Sequence, residues 1–150
     1  MKPLLECRQL AVERGRRRLV HALDFALAPG ELIALVGPNG AGKSSLLATL
    51  AGLLPAVAGS ILIDGETPET IPRKRLARHV GFLPQETDDP YPATVLETAL
   101  IGRHPHIGFW RWESAGDVAK ARAALRRVGL AAAADRQVAS LSGGERRRLA

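Results

Sequence analysis

The segment that constrains this chain most is Gly37-Pro38-Asn39-Gly40-Ala41-Gly42-Lys43-Ser44, a complete match to G-x-x-x-x-G-K-[ST]. The residues before it, Glu31 to Val36, read as a short buried strand, and Ser44 to Leu50 opens a helix. A strand that turns on glycines into a helix N-terminus aims successive amides at one point, where the helix dipole also favours negative charge. Such a point holds phosphates. The motif assigns Lys43 to the β- and γ-phosphates, Ser44 to Mg²⁺, and the amides from Gly40 to Ser45 to the phosphate cradle.

Composition narrows the class. With 150 residues and 46% hydrophobic content the chain can form a core of ordinary size. Its net charge of +6 invites a nucleic-acid reading, but the basic residues are spread along the chain and no aromatic stacking platform accompanies them. No nucleic-acid partner is therefore expected. Cys7 is the only cysteine, which leaves no disulfide framework or metal knuckle and suits a reducing compartment. Met1 to Glu13 lacks the pattern of a signal peptide. Leu46 to Ile63 is uncharged but broken by Gly52, Pro55 and Gly59, so a helix-loop-strand passage is expected there rather than a membrane span.

Along the chain, Leu4 to Val12 and Leu19 to Leu27 read as two strands of an antiparallel hairpin, turning through Arg14-Gly15-Arg16-Arg17-Arg18. That tip reads first as a solvated basic turn. Gly59 to Asp64 reads as a strand, Arg73 to His79 as a basic helix, and Val80 to Leu83 as an apolar strand stopping at Pro84-Gln85. Glu86 to Pro92 reads as loop. A helix starts at Thr94, with Glu97 completing a capping box, and an amphipathic helix spans Ser114 to Val128 with Val118, Ala121, Leu125 and Val128 inward. Between them His104 and His106 lack a third metal ligand, and Phe109, Trp110 and Trp112 are expected to pack a subdomain or face a partner. Leu141-Ser142-Gly143-Gly144-Glu145 leads into a last helix and offers a second anion site, with a plain helix cap as the alternative.

A phosphate loop alone is shared by kinases, GTPases and motors. The loop, Gln85 at a strand end and the Leu141–Glu145 block about a hundred residues on together resemble the ATP-binding subunits of ABC transporters: Walker A, Q-loop glutamine and signature motif. The stretch from Leu100 to His106, followed by Trp112, is most similar to importer ATPases for iron-siderophores, haem and cobalamin. The resemblance implies an α/β P-loop NTPase fold, the ABC-type nucleotide-binding domain, with an N-terminal antiparallel β part and an inserted helical subdomain, truncated before the Walker B strand. It divides the chain into a β part and P-loop core over 1–86 and a helical subdomain over 87–150.

The same resemblance implies the chemistry and the company of the chain. ATP and Mg²⁺ are the cofactors; Gly37, Pro38, Asn39, Gly40, Ala41, Gly42, Lys43, Ser44 and Ser45 bind the nucleotide, and Ser44 and Gln85 reach the metal. Lys43 and Gln85 serve catalysis. Ser142, Gly143 and Gly144 act on the nucleotide of a second copy in a homodimer. Transmembrane permease subunits dock on Glu86 to Trp112, a periplasmic or extracellular substrate-binding protein delivers cargo, and the subunit sits peripherally on the cytoplasmic face of the inner membrane. Another cargo, or a fragment without function, are the alternatives within the family. A GTPase would show Asn-Lys-x-Asp, which is absent. Two departures from the family pattern stand out. Arg14 occupies the position of an adenine-stacking aromatic, which implies weak discrimination between ATP and GTP. The Walker B aspartate, catalytic glutamate and switch histidine have no counterpart in the 150 residues, which implies a chain inactive alone, with the phosphate-loop and Gln85 strands left with unpaired edges.

Overall fold

The structure is a computed structural model that describes residues 2–85 and 92–150; the loop expected from Glu86 lies largely outside the described residues. The chain divides into two compact units, Met1–Phe82 and Leu83–Ala150.

The first unit is built on β1 (Leu5–Arg14), β2 (Arg17–Leu27) and β3 (Ala58–Ile63), an antiparallel sheet in the order β2-β1-β3. α1 (Lys43–Leu50) and α2 (Arg73–His79) pack their apolar residues into the same core. Cys7, Leu10 and Val12 from β1 meet Ile61 and Ile63 from β3, Leu46 from α1 and Leu76 from α2. Strand side chains alternate faces, so Cys7 and Leu10, three apart, would point oppositely in a regular strand. A bulge resolves this. Pairing with β2 runs from Cys7↔Phe25 directly to Leu10↔Leu23, and pairing with β3 jumps from Arg8↔Ser60 to Ala11↔Ala58. Gln9 takes the left-handed conformation, φ 48°, and its amide donates to Asp24 Oδ1 at 2.7 Å instead of to a strand. One extra residue thus brings both apolar side chains inward.

Opposite the bulge sits Gly59 at φ +82°, where an added Cβ would lie 2.3 Å from the Gln9 carbonyl oxygen. Only glycine fits.

The second unit contains α3 (Val95–Ile101), α4 (Ala115–Arg127) and α5 (Gly143–Leu149), with single 3₁₀ turns at His104–His106, Ala131–Ala133 and Val138–Ser140. Its core gathers Val95, Leu125, Leu130, Ala133, Ala134, Val138 and Leu141. Each of the three α-helices among its described residues opens on a capping box, Thr94 with Glu97, Ser114 with Asp117 and Ser142 with Glu145. The first was legible in the sequence; in all three, two orphan donors at the helix start are satisfied reciprocally.

Two expected strands are not formed. Residues 31–36 and 80–83 carry no strand, and Leu32 and Val36 are 95% and 89% exposed. An apolar run becomes a strand only when a neighbour accepts its amides and carbonyls, and no described strand lies alongside either run. Of the two expectations for the aromatic cluster, packing a subdomain is not realised, since Trp110 and Trp112 are 94% and 90% exposed and Phe109 meets Trp110 edge-on at 5.7 Å, and facing a partner stays open.

The Ser114–Asp117 box yields a pH dependence. Hydrogen bonds from the Ser114 hydroxyl and amide, then the Arg103 guanidinium at 3.1 Å, lower the Asp117 pKa from 3.8 to about 2. A carboxylate whose folded pKa is depressed stabilises the fold fully above its unfolded value and loses that contribution as pH falls through the folded one. The second unit should therefore lose stability between about pH 4 and pH 2. Ser114→Ala should flatten that acid limb and cost about 1 kcal/mol at neutral pH, read from denaturant midpoints across pH; an unchanged limb would remove Ser114 as its cause.

Candidate nucleotide site

The loop from Gly37 to Ala41 is irregular and exposed, and it delivers the chain into α1 through the half-buried Gly42 at φ +95°. No side chain caps this helix and no acid stands in its first turn. Leu46 N–H returns to the Gly42 carbonyl at 2.8 Å and Ala41 N–H to Pro38 at 3.3 Å. Among the described residues, no protein acceptor takes the amides of Gly40, Gly42, Lys43, Ser44 or Ser45. Uncapped helix-start amides, with the positive end of the helix dipole behind them, suit an anion.

Lys43 Nζ donates to the carbonyls of Gly37 at 2.6 Å and Pro38 at 2.8 Å, so the ammonium is folded over its own loop. Two neutral carbonyls are weaker partners for it than phosphate oxygens, which would also supply opposite charge. Ser44 is exposed in the first turn, its hydroxyl free to meet a hard cation held by phosphates. Ser45 is buried, and the Ser45 carbonyl accepts from the buried Thr49 hydroxyl at 2.9 Å, which anchors this turn to the core.

Gly42 has a second reason to be glycine. A Cβ there would lie 2.7 Å from Leu19 Cβ, at the start of β2. The hairpin is thus packed against the loop, an arrangement that residues twenty-three apart gave no sign of in the sequence.

Gln85 and Ser142 to Gly144 belong to the second unit. Gln85 is exposed at a bend. Ser142 does two jobs in its box: its hydroxyl donates to Glu145 Oε2 at 2.8 Å and accepts from Glu145 N–H at 3.3 Å. Hydrogen bonds from the Ser142 amide at 2.8 Å and then from its hydroxyl hold the Glu145 carboxyl below its usual pKa, with the Arg136 guanidinium 3.6 Å away adding to the effect. Arg136 and Arg146 reach the carbonyls of Ser140 and Ala139 at 2.9 and 2.7 Å and fix the loop ahead of α5. The cap reading of this block is therefore realised, and the amides of Gly143 and Gly144 remain beside it. His104 Nε2 lies 3.7 Å from Glu113, and among the described residues no three His, Cys, Asp or Glu side chains gather into a metal site.

The family model for ABC transporters matches residues 20–150. The chain belongs to the ABC transporter family. Among curated relatives of this family, the hemin import ATP-binding protein HmuV of Myxococcus xanthus is 46% identical over 147 residues, covering 97% of this chain and 54% of the relative. The cobalamin import ATP-binding protein BtuD of Halobacterium salinarum is 36% identical over 145 residues, covering 97% of this chain and 36% of the relative. The chain thus spans about half, or less, of the relatives it matches. In solved structures, an ABC transporter described as metal-chelate type, in an inward-facing conformation, superposes with a TM-score of 0.80 at 30% identity, over 99% of this chain and 54% of the other. The fold is that of an ABC-type nucleotide-binding domain. No helix among the described residues is long and apolar enough to cross a membrane.

Proposed function

We propose that this chain is the nucleotide-binding part of an ATP-binding subunit of an ABC importer, serving a metal-chelate type cargo such as an iron-siderophore, haem or cobalamin. The observation that carries the nucleotide reading is the set of unclaimed amides from Gly40 to Ser45 beside Lys43. Similarity to import subunits for hemin and cobalamin supports the cargo class.

In this reading the Lys43 ammonium leaves the Gly37 and Pro38 carbonyls for the β- and γ-phosphates, and the amides from Gly40 to Ser45 hold the phosphate chain. Ser44, with Gln85, would hold a Mg²⁺ ion, whose charge neutralises phosphate oxygens and favours phosphoryl transfer. Gln85 orients the attacking water. Gly143 and Gly144 present amides to the nucleotide on a second copy, while the Ser142–Glu145 box keeps that helix start rigid. A two-fold pairing then makes both composite sites at once. Residues 86–112 dock on membrane permease subunits, where the exposed Trp110 and Trp112 supply apolar contact. The subunit works peripherally at the cytoplasmic face, and a substrate-binding protein supplies cargo on the other side. In this reading the 150 residues provide binding and positioning, and by themselves they should release no phosphate at a transporter-like rate.

Lys43→Ala removes a charge-assisted contact worth roughly 1.5 to 3 kcal/mol and should weaken ATP binding by at least about tenfold. Calorimetry on a variant that keeps its melting transition checks this; undiminished affinity would place the phosphates elsewhere.

A further inference from the structure

We propose that the outer edge of β3 takes an extended peptide segment, one basic side chain of which fills the cavity between Pro55 and Glu69. None of the residues involved belongs to the loop from Gly37 to Ser45, and the inference does not depend on the nucleotide reading.

β3 lies at the edge of the sheet, with β1 on one side and no described strand on the other. Along such a strand the backbone groups alternate between the two sides. Asp64 N–H donates to the Leu4 carbonyl at 2.9 Å, on the β1 side, while Ile63 exchanges both of its bonds with Glu66 on the outer side, at 2.8 and 3.0 Å. Two residues back, Ile61 therefore also turns its N–H and C=O outward. The residue that would meet it in a continued hairpin is Pro68, which has no N–H to give. Among the described residues no backbone group pairs with Ile61 on that side. The short hairpin thus stops after the Ile63–Glu66 pair and leaves a donor and an acceptor side by side on the edge. An unpaired edge is a template for another chain unless it is covered.

Here the edge opens on a cavity of about 230 Å³. Pro55, Ala56 and Ile61 give it apolar walls, and Ser60, Thr67 and Glu69 give it oxygens. That volume is below the roughly 300 to 1,000 Å³ of sites for whole small molecules, and suits a single side chain. The oxygens are available. The Ser60 and Glu69 side chains have no hydrogen bond or ion pair among the described residues. The Thr70 hydroxyl spends its one hydrogen on the Thr67 carbonyl at 2.8 Å, so Thr67 is the donor across their 3.2 Å hydroxyl contact and keeps lone pairs open. A carboxylate and hydroxyl oxygens at the rim of apolar walls call for positively charged donors on an apolar stem, which describes lysine and arginine. Arg8, opposite Ser60 on β1, is already held by Glu6 at 2.6 Å. One occupant satisfies both the open edge and the acceptor-rich cavity: a strand that pairs with Ile61 and lays a basic side chain beside Glu69.

The test titrates isotopically labelled intact protein with acetyl-Val-Lys-Val-amide and follows the backbone amide resonances. Companion probes are the same peptide with norleucine for lysine, the same peptide with its backbone nitrogens methylated, and butylammonium ion alone. The expected result is a saturable shift at Ile61, with Ser60 and Thr67 moving in step. Affinity should fall about fivefold with the norleucine peptide, and as much with lysine peptide on Glu69→Gln, an exposed substitution that leaves melting unchanged. Butylammonium and the methylated peptide, which cannot pair as a strand, should bind at least about tenfold more weakly. Binding indifferent to both the lysine and Glu69→Gln overturns the proposal, as does equal binding of butylammonium and peptide, or no shift at Ile61 with peptide at several millimolar. Self-association that moves the same amides without peptide would mean that a second copy covers the edge, and overturns it too. Mg²⁺-ATP affinity, measured on the same samples, should be the same for Glu69→Gln and the unmodified protein; loss of ATP binding in both would count against the nucleotide reading and leave this one standing.

Discussion

Gly59→Ala is expected to destabilise the first unit by at least about 2 kcal/mol. Gly59 holds φ +82°, a left-handed conformation that costs a side-chain-bearing residue roughly 1 to 2 kcal/mol by itself. The new methyl would also stand 2.3 Å from the Gln9 carbonyl oxygen and 2.5 Å from that of Arg8. These are backbone atoms of the central strand, so nothing flexible can swing away. Either β3 moves off β1 or the bulge at Gln9 is lost, and losing the bulge turns Cys7 or Leu10 out of the core. Against a domain stability of roughly 5 to 15 kcal/mol this is a large share. Gly81 is the control: its backbone is not left-handed and an added Cβ meets nothing within 4 Å, so Gly81→Ala should stay within about 0.5 kcal/mol. Denaturant midpoints decide between them, and equal midpoints for both variants would mean that β3 does not pair with β1 in this register.

Gly42→Ala should reduce ATP affinity on the order of a hundredfold, about 2.8 kcal/mol, at the upper end of the loss expected for Lys43→Ala. Losing Lys43 removes one cation from an otherwise intact cradle. Adding a methyl at Gly42 disturbs the cradle itself, because φ +95° becomes strained and Leu19 Cβ stands 2.7 Å away. The amides proposed to hold the phosphates then shift. Leu19→Ala does not open the contact, since the Cβ itself is the closest atom, but Leu19→Gly does. The double variant Gly42→Ala/Leu19→Gly should therefore regain part of the affinity, the part due to collision rather than to the strained φ. Calorimetry on the three variants measures both parts, and full affinity in Gly42→Ala alone would show that the loop tolerates repacking against the hairpin.

The glycine loop and the helix it opens were legible because their signals are local: spacing, glycines and the following helix are all contiguous in sequence. The hairpin and the Thr94–Glu97 box were legible for the same reason, since each depends on a short periodic pattern or on two residues three apart. The runs over 31–36 and 80–83 show the limit of that reasoning. Their apolar content marks them as strand-forming, but a strand is completed by a partner, and composition says nothing about which partner is alongside. The bulge at Gln9 was hidden because the apolar spacing Cys7-Leu10-Val12 looks like an imperfect alternation until the left-handed residue is seen. The Gly42–Leu19 contact was hidden because it is tertiary. At Ser142 the same residues carried two meanings, helix cap and anion contact, and the box with Glu145 shows that the hydroxyl is already committed within its own helix.

The central claim is that the amides between Gly40 and Ser45 bind the phosphates of a nucleotide. Titrating isotopically labelled protein with Mg²⁺-ATP and following backbone amide resonances tests it at the atoms concerned. The account predicts that Gly40, Gly42, Lys43, Ser44 and Ser45 show the largest shifts, that they move together with one affinity, and that adenosine without phosphates leaves them in place. Saturable binding in which these amides stay unmoved while others shift, or an equal response to adenosine, would contradict it.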